Sequence, residues 1–264
     1  MSDGASNPLP RELLPGLFWM GDCIKERWQG QILHGYNSCY LLEGEHSSVL
    51  VEAGHPKDLP VIEEHLEGLL ARGGPPLRYL FTTHQETPHS SGIGRVLERH
   101  PEAIVVGDVR DYHLYFPEHV GRFRQLEPGD SIDLGGTRLL IIEAVIRDLL
   151  STQWAFDTRR RVLFPGDGFA YSHYHEQGMC GATAEEAPDL AVADMTGLFA
   201  ELALYWTRFT DMEPYIARLE ALLARLDVAL IAPTHGLPIT DRRRTVAAVL
   251  DGLRSARPDP VVDD

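Results

Sequence analysis

The segment that decides the fold is Leu77-Arg78-Tyr79-Leu80-Phe81-Thr82 followed by Thr83-His84-Gln85-Glu86-Thr87-Pro88-His89-Ser90-Ser91-Gly92, that is, LRYLFT running into THQETPHSSG. The first half is a short apolar and aromatic run of the kind that forms a buried strand. The second places two imidazoles and a carboxylate at positions i, i+2 and i+5, immediately past the strand. A loop between a strand and a helix can turn all three side chains inward. Neutral imidazoles combined with carboxylates suit first-row divalent metals, and a carboxylate can bridge two ions. Pro88 stands in the middle of this set with a fixed φ and no side-chain donor or acceptor.

The same placement recurs further along. Asp167 follows VLFPG and His235 follows VALIAPT, each just beyond an apolar run. Ends of strands in one sheet layer lie close in space, so the three loops can converge on one site. Each residue alone could be an ordinary polar loop position; their shared position at strand ends is what singles them out.

The rest of the chain supplies the frame. LFWMGD, QILHGYNSCYLLEG and SSVLVEAG read as three early strands. Residues 58–72 carry Val61, Ile62, Leu66, Leu69 and Leu70 at helical spacing, and Gly73-Gly74-Pro75 ends that run. IGRVLERH predicts a short helix and AIVVGD a buried strand. GDSIDLGGTRLLIIEAVI, LLSTQWAFD and RRVLFPGD predict further strands. Helices are expected over roughly 192–209, 212–226 and 239–256, with VALIAP a strand between the last two. Alternating groups of strands and helices imply a layered α/β sandwich with helices outside. A single domain over residues 1–264 is expected, with flexible ends at about 1–14 and 258–264.

Bulk properties exclude several classes. A formal charge of −15 over 264 residues argues against a nucleic-acid surface, which needs clustered Lys and Arg. No apolar run reaches the roughly 18 residues of a membrane span. The proline-broken N-terminus, MSDGASNPLPRELLPG, lacks the basic start and apolar stretch of a signal peptide, so a cytoplasmic protein is expected. Cys23, Cys39 and Cys180 form no CxxC pair and suggest neither a disulfide framework nor a cysteine zinc site.

His84-x-Glu86-x-x-His89, a later aspartate in a strand–GD turn and a late P-x-H-G together resemble the metallo-β-lactamase superfamily. The glutamate resembles the flavodiiron branch, as do HGYNSCYLL, LFPGDGF and APTHG, over roughly residues 15–240. The resemblance implies a four-layered αββα sandwich. It implies that His84 and Glu86 hold one metal, His89 and His235 the other, and that Asp167 bridges them. About nineteen residues before Asp167 the family has a histidine; here Asp148 stands there, beside Arg147. Either Asp148 ligates in its place, or it pairs with Arg147. Pro88 replaces the family's aspartate, so the second metal keeps an open face; His173 and His175 are candidates to fill it, or are lid residues. His34, in LHGYN, is either substrate-facing or packed.

Relative to zinc hydrolases of the superfamily, the chain lacks the middle histidine and the aspartate that orients the metal-bound water. Its carboxylate-rich set favours two iron ions, with zinc or manganese as alternatives. No catalytic side chain is assigned, because the chemistry would rest on the metals and O₂. The flavodoxin domain of flavodiiron reductases is not found, so no flavin is expected in this chain and electrons would come from an external donor. The stretch from Phe169 to Phe209 is apolar and aromatic, which favours a hydrophobic small-molecule substrate. The combination resembles stand-alone di-iron hydroxylases of natural-product pathways, such as that of the diterpenoid antibiotic platensimycin. A di-iron monooxygenase acting on a terpenoid or acyl thioester is therefore expected. A metal-dependent thioester or lactone hydrolase, an O₂- or NO-binding sensor, and a homodimeric arrangement remain open.

Overall fold

A computed structural model of the chain describes residues 9–173, 180–187 and 190–256. In chain order the elements begin with β1 (Arg11–Leu14), β2 (Leu17–Met20), β3 (Cys23–Trp28), β4 (Gln31–Tyr36), β5 (Cys39–Glu43) and β6 (Ser48–Val51). Helix α1 (Leu59–Leu70), β7 (Leu77–Phe81), α2 (Thr87–Ser90), α3 (Ile93–Arg99), β8 (Ile104–Gly107) and α4 (Tyr112–Tyr115) follow. The second half holds β9 (Phe123–Gln125), β10 (Ser131–Asp133), β11 (Arg138–Glu143), β12 (Gln153–Asp157) and β13 (Val162–Phe164). It closes with α5 (Val192–Leu202), α6 (Glu213–Leu226), β14 (Leu230–Ile231) and α7 (Ala247–Ser255).

Two sheets form the middle layers. One has the order β1-β2-β5-β6-β7-β8-β9, the other β10-β11-β12-β13-β14. Side-chain alternation along each strand explains why both faces of the first sheet are apolar. Leu17 and Trp19, Tyr40 and Leu42, and Val49 and Val51 point into the core shared with the second sheet. Their neighbours Phe18, Met20, Leu41 and Leu50 point the other way, against Ile62, Leu66 and Leu69 of α1 and Val96 of α3. On the far side, Ile216 and Leu219 of α6 and Val249 and Leu250 of α7 join the core of the second sheet. This is the αββα sandwich expected from the sequence.

Several boundaries differ from expectation for local reasons. QILHGYNSCYLLEG is not one strand: it breaks at Asn37-Ser38, and its first part leaves the large sheet to form the separate hairpin β3–β4. Buried Asn37 donates to Asp58, and Ser38 Oγ accepts from the Trp19 indole, so both side chains at the break are engaged by distant segments. Arg11–Leu14, expected within a flexible end, instead pair with β2, and Arg11 makes a two-pronged contact with Glu186 at 2.5 and 2.7 Å. The helix expected over 192–209 stops at Leu202 and resumes as a 3₁₀ turn, Tyr205–Phe209. The last helix begins three residues late, with a π-helical turn at Arg242–Val246. The tail at 258–264 lies outside the described residues.

Among the described residues, no helix is long and apolar enough to cross a membrane.

Candidate metal centre

β7 runs parallel to β6 and β8, so its C-terminal end opens on the same edge as theirs. His84 leaves that edge directly, and α2 carries His89 back toward it. In the second sheet β13 and β14 are also parallel, and they deliver Asp167 and His235 to the same place. The convergence therefore follows from strand direction in both sheets.

The structure brings all six expected residues together. His84 Nε2 lies 3.8 Å from a carboxylate oxygen of each of Glu86, Asp148 and Asp167. Asp167 turns its Oδ2 to His84 and its Oδ1 to the other side, 3.5 Å from His89 Nε2 and 3.6 Å from His235 Nε2. One carboxylate thus faces two donor sets. The donor atoms of His84, Glu86, Asp148 and Asp167 all lie within 4.8 Å of one another, as do those of His84, His89 and Asp167.

The donor set fits metal ions on a further observation. His84 Nε2, His89 Nε2 and Asp167 Oδ1 are buried and make no hydrogen bond. Burying such atoms unpaired costs about 1–3 kcal/mol each, and cations at their meeting point would satisfy all three. Their other ring nitrogens are engaged, which fixes the rings. His84 Nδ1 lies 3.1 Å from Thr83 Oγ1, His89 Nδ1 lies 3.2 Å from Glu52 Oε1, and His235 Nδ1 lies 2.7 Å from the Tyr36 carbonyl oxygen. Outward support of this kind sets the tautomer and aims Nε2 at the metal.

The electrostatics are strongly perturbed. Burial alone would raise the Asp167 carboxyl, but His89, His235 and His84 around it hold it well below the usual carboxylate range. Asp148 is pushed up to about 9, first by burial and then by the neighbouring Asp167. Burial would lower His89, yet Glu52 and Asp167 together raise it well above its usual value. The imidazole of His84 beside it holds Glu86 below its usual value. Crowded buried carboxylates of this kind mark functional sites.

The alternative partner for Asp148 is not used: Arg147 binds Glu143 at 2.8 Å and the carbonyl of Ala144, while Asp148 turns inward to His84. Pro88 lines a cavity of about 470 Å³ beside His235, together with Ile24, Leu33, Phe199 and Leu202. His34 lines the same cavity, with its Nδ1 2.9 Å from Cys23 Sγ. His173 is buried with its ring stacked on Tyr36 at 6.1 Å, and it is in none of the metal-capable groups found among the described residues. His175 lies outside the described residues.

Sequence reasoning missed Glu52. It is buried with φ +65°, accepts from Thr83 Oγ1 at 2.6 Å and from Thr234 Oγ1 at 3.2 Å, and faces His89. The signal was present: Glu52 ends the apolar run VLV just as His84, Asp167 and His235 end theirs. Thr83 and Thr234 each directly precede one of the histidines.

Two sheets with helices outside, and at their shared edge a carboxylate that faces two donor sets, define an αββα protein with a candidate metal centre. Residues 33–235 match the Metallo-beta-lactamase superfamily, and the chain belongs to it. It is 27% identical over 252 residues to the coenzyme F420H(2) oxidase of Methanothermobacter thermautotrophicus, covering 90% of this chain and 59% of that protein. Its fold is similar to rubredoxin oxygen:oxidoreductase from Desulfovibrio gigas, with a TM-score of 0.71 at 15% identity over 93% of this chain and 61% of that one. It is also similar to the 1–254 fragment of diflavin flavoprotein A 5 from Nostoc sp. PCC 7120, with a TM-score of 0.65 at 16% identity over 92% and 93% of the two chains. The chain spans about three fifths of the length of the curated oxidase it matches.

Proposed function

We propose that the protein is a non-heme di-iron oxygenase that activates O₂ and hydroxylates a hydrophobic organic substrate. His84, Glu86, Asp148 and Asp167 would hold one iron, and His89, His235 and Asp167 would hold the other. The observation that carries this reading is Asp167, whose two oxygens face two donor sets in a carboxylate-rich site beside an apolar cavity. Anionic oxygen donors favour iron or manganese over zinc. The similarity to an oxidase and to an oxygen:oxidoreductase supports redox chemistry with O₂.

Bound iron supplies the O₂ reactivity that no side chain has. The protein's own groups supply position and exclusion. Glu52 and the Tyr36 carbonyl hold His89 and His235 in register. Pro88 presents only hydrocarbon where the superfamily resemblance implies a carboxylate, and so leaves the cavity side of the second site open. The Phe199 ring lies 5.5 Å from that of His235 and helps keep water away. A cavity of about 470 Å³ suits a terpenoid or the acyl part of a thioester. The reaction needs an electron donor.

The test is anaerobic loading with ferrous iron, counted by Mössbauer spectroscopy, then exposure to labelled O₂ with a reductant and a panel of terpenoid acids and acyl thioesters. Two irons per chain and one labelled oxygen in the product are expected. Thioester cleavage without O₂ would replace the reading with a hydrolase. O₂ consumption with no organic product would replace it with an oxidase, and reversible gas binding alone with a sensor.

A further inference from the structure

A second donor cluster stands apart from the histidine–carboxylate centre. Cys23 on β3, His34 on β4 and Cys180 ahead of α5 bring two sulfurs and one ring nitrogen within 4.8 Å of one another. The hairpin register accounts for the first pair. Cys23 is opposite Tyr36 and Lys25 is opposite His34, so Cys23 and His34 are diagonal neighbours on one face of the ribbon. Their donor atoms, Sγ and Nδ1, are 2.9 Å apart.

The backbone around the cluster is built to hold it. His34 exchanges two hydrogen bonds with His173, at 2.8 and 2.9 Å. Gly181, next to Cys180, donates its N–H to Tyr36 Oη at 2.7 Å, and its carbonyl accepts from Arg11 at 2.8 Å. Three donors from three segments are thereby fixed in one small volume.

We propose that Cys23, His34 and Cys180 form a separate zinc site on the wall of the cavity. Two thiolates and an imidazole are soft donors and suit zinc, whereas the carboxylate-rich centre suits harder ions, so the two sites select different metals. Zinc binding releases the two thiol protons to solvent and changes no oxidation state. A disulfide between Cys23 and Cys180 would use only two of the three donors and would need a two-electron oxidant. The site's role follows from where it sits. The β3–β4 hairpin pairs with neither large sheet, yet it supplies Ile24, Leu33 and His34 to the cavity wall. A metal clamp to Cys180 fixes that wall. The inference does not depend on iron at the central site.

The experiment is anaerobic titration of metal-stripped protein with cobalt(II). Among the described residues the central site offers no sulfur donor, so a thiolate-to-cobalt charge-transfer band reports the cysteine site alone. One equivalent should develop that band. Cys23→Ser and Cys180→Ser should each abolish it while still taking up the cobalt bound by histidines and carboxylates, which shows that both variants fold. X-ray absorption of zinc-loaded wild-type protein should show zinc–sulfur scattering at about 2.3 Å. Cobalt uptake with no such band, a band that survives in both variants, or a Cys23–Cys180 disulfide in protein kept reduced would each overturn the proposal.

Discussion

Glu52 shows how much one residue outside the metal-facing set can control. It sits in the left-handed region at φ +65°, is buried, and binds Thr83, Thr234 and His89 at once. Glu52→Gln keeps the shape but removes the charge that orients the His89 ring. Metal affinity is expected to fall about 10–100-fold, read by competition with a chelator while the circular dichroism stays unchanged. Pro88 makes the opposite case, a missing charge. Pro88→Asp would put a carboxylate into the cavity wall beside His235. Tighter retention of the second metal and slower turnover of apolar substrates are expected; if neither changes, the open face at Pro88 is not what admits substrate or O₂. Gly168 is constrained by space alone: a Cβ there would lie 2.1 Å from the buried Trp154 ring. Gly168→Ala is expected to cost about 1–3 kcal/mol through overpacking, measured by urea denaturation, and to disturb Asp167 next to it.

At the scale of elements, β1 is the edge strand of the large sheet and is tied down a second time by a side chain. Arg11 ties β1 to Glu186, whose carboxylate also accepts from the Thr183 N–H. These hydrogen bonds pull Glu186 down from its ordinary 4.5 to about 2. A carboxyl lowered by folding stabilises the protein above its unfolded value and loses that contribution as pH falls toward its folded value. The pair is largely exposed, so screening limits its worth to less than about 1 kcal/mol. Arg11→Ala is therefore expected to lower stability slightly at neutral pH, and the difference from wild type should shrink as pH falls from 4.5 to 2. A difference that grows on acidification would show that another group sets the acid limb.

At the scale of the molecule, the centre is where the two sheets meet, so metal binding there would be linked to folding. Asp148 and Asp167 are both buried against each other, an arrangement that cations relieve. An ion present at a hundred times its dissociation constant adds about 2.7 kcal/mol to folding. Stripping the metals is expected to lower the melting midpoint by about 5–10 °C, measured by scanning calorimetry with and without chelator. One cooperative transition is also expected, because the main core runs through both sheets, from Trp19, Tyr40 and Phe81 to Trp154, Phe156 and Phe164. Two separated transitions would instead mark the sheets as independent units.

The sequence by itself determined which strand ends carry chemistry. Apolar runs closed by His84, Asp167 and His235 are local patterns, and burial of the runs fixes their ends at one sheet edge. It also pointed to a layered sandwich, since short runs as continuously apolar as LFWM and SVLV demand apolar partners on both faces. It did not reveal the break at Asn37-Ser38, because a buried Asn–Asp pair and a Ser–Trp hydrogen bond form only with distant segments. Nor did it decide whether Asp148 turns to Arg147 or to His84, or that Glu52 joins the centre. In both cases the partner is set by packing across long stretches of chain. Only the tertiary structure brought Cys180 to Cys23 and His34, since their proximity depends on how β3, β4 and the segment before α5 meet, which no local spacing encodes.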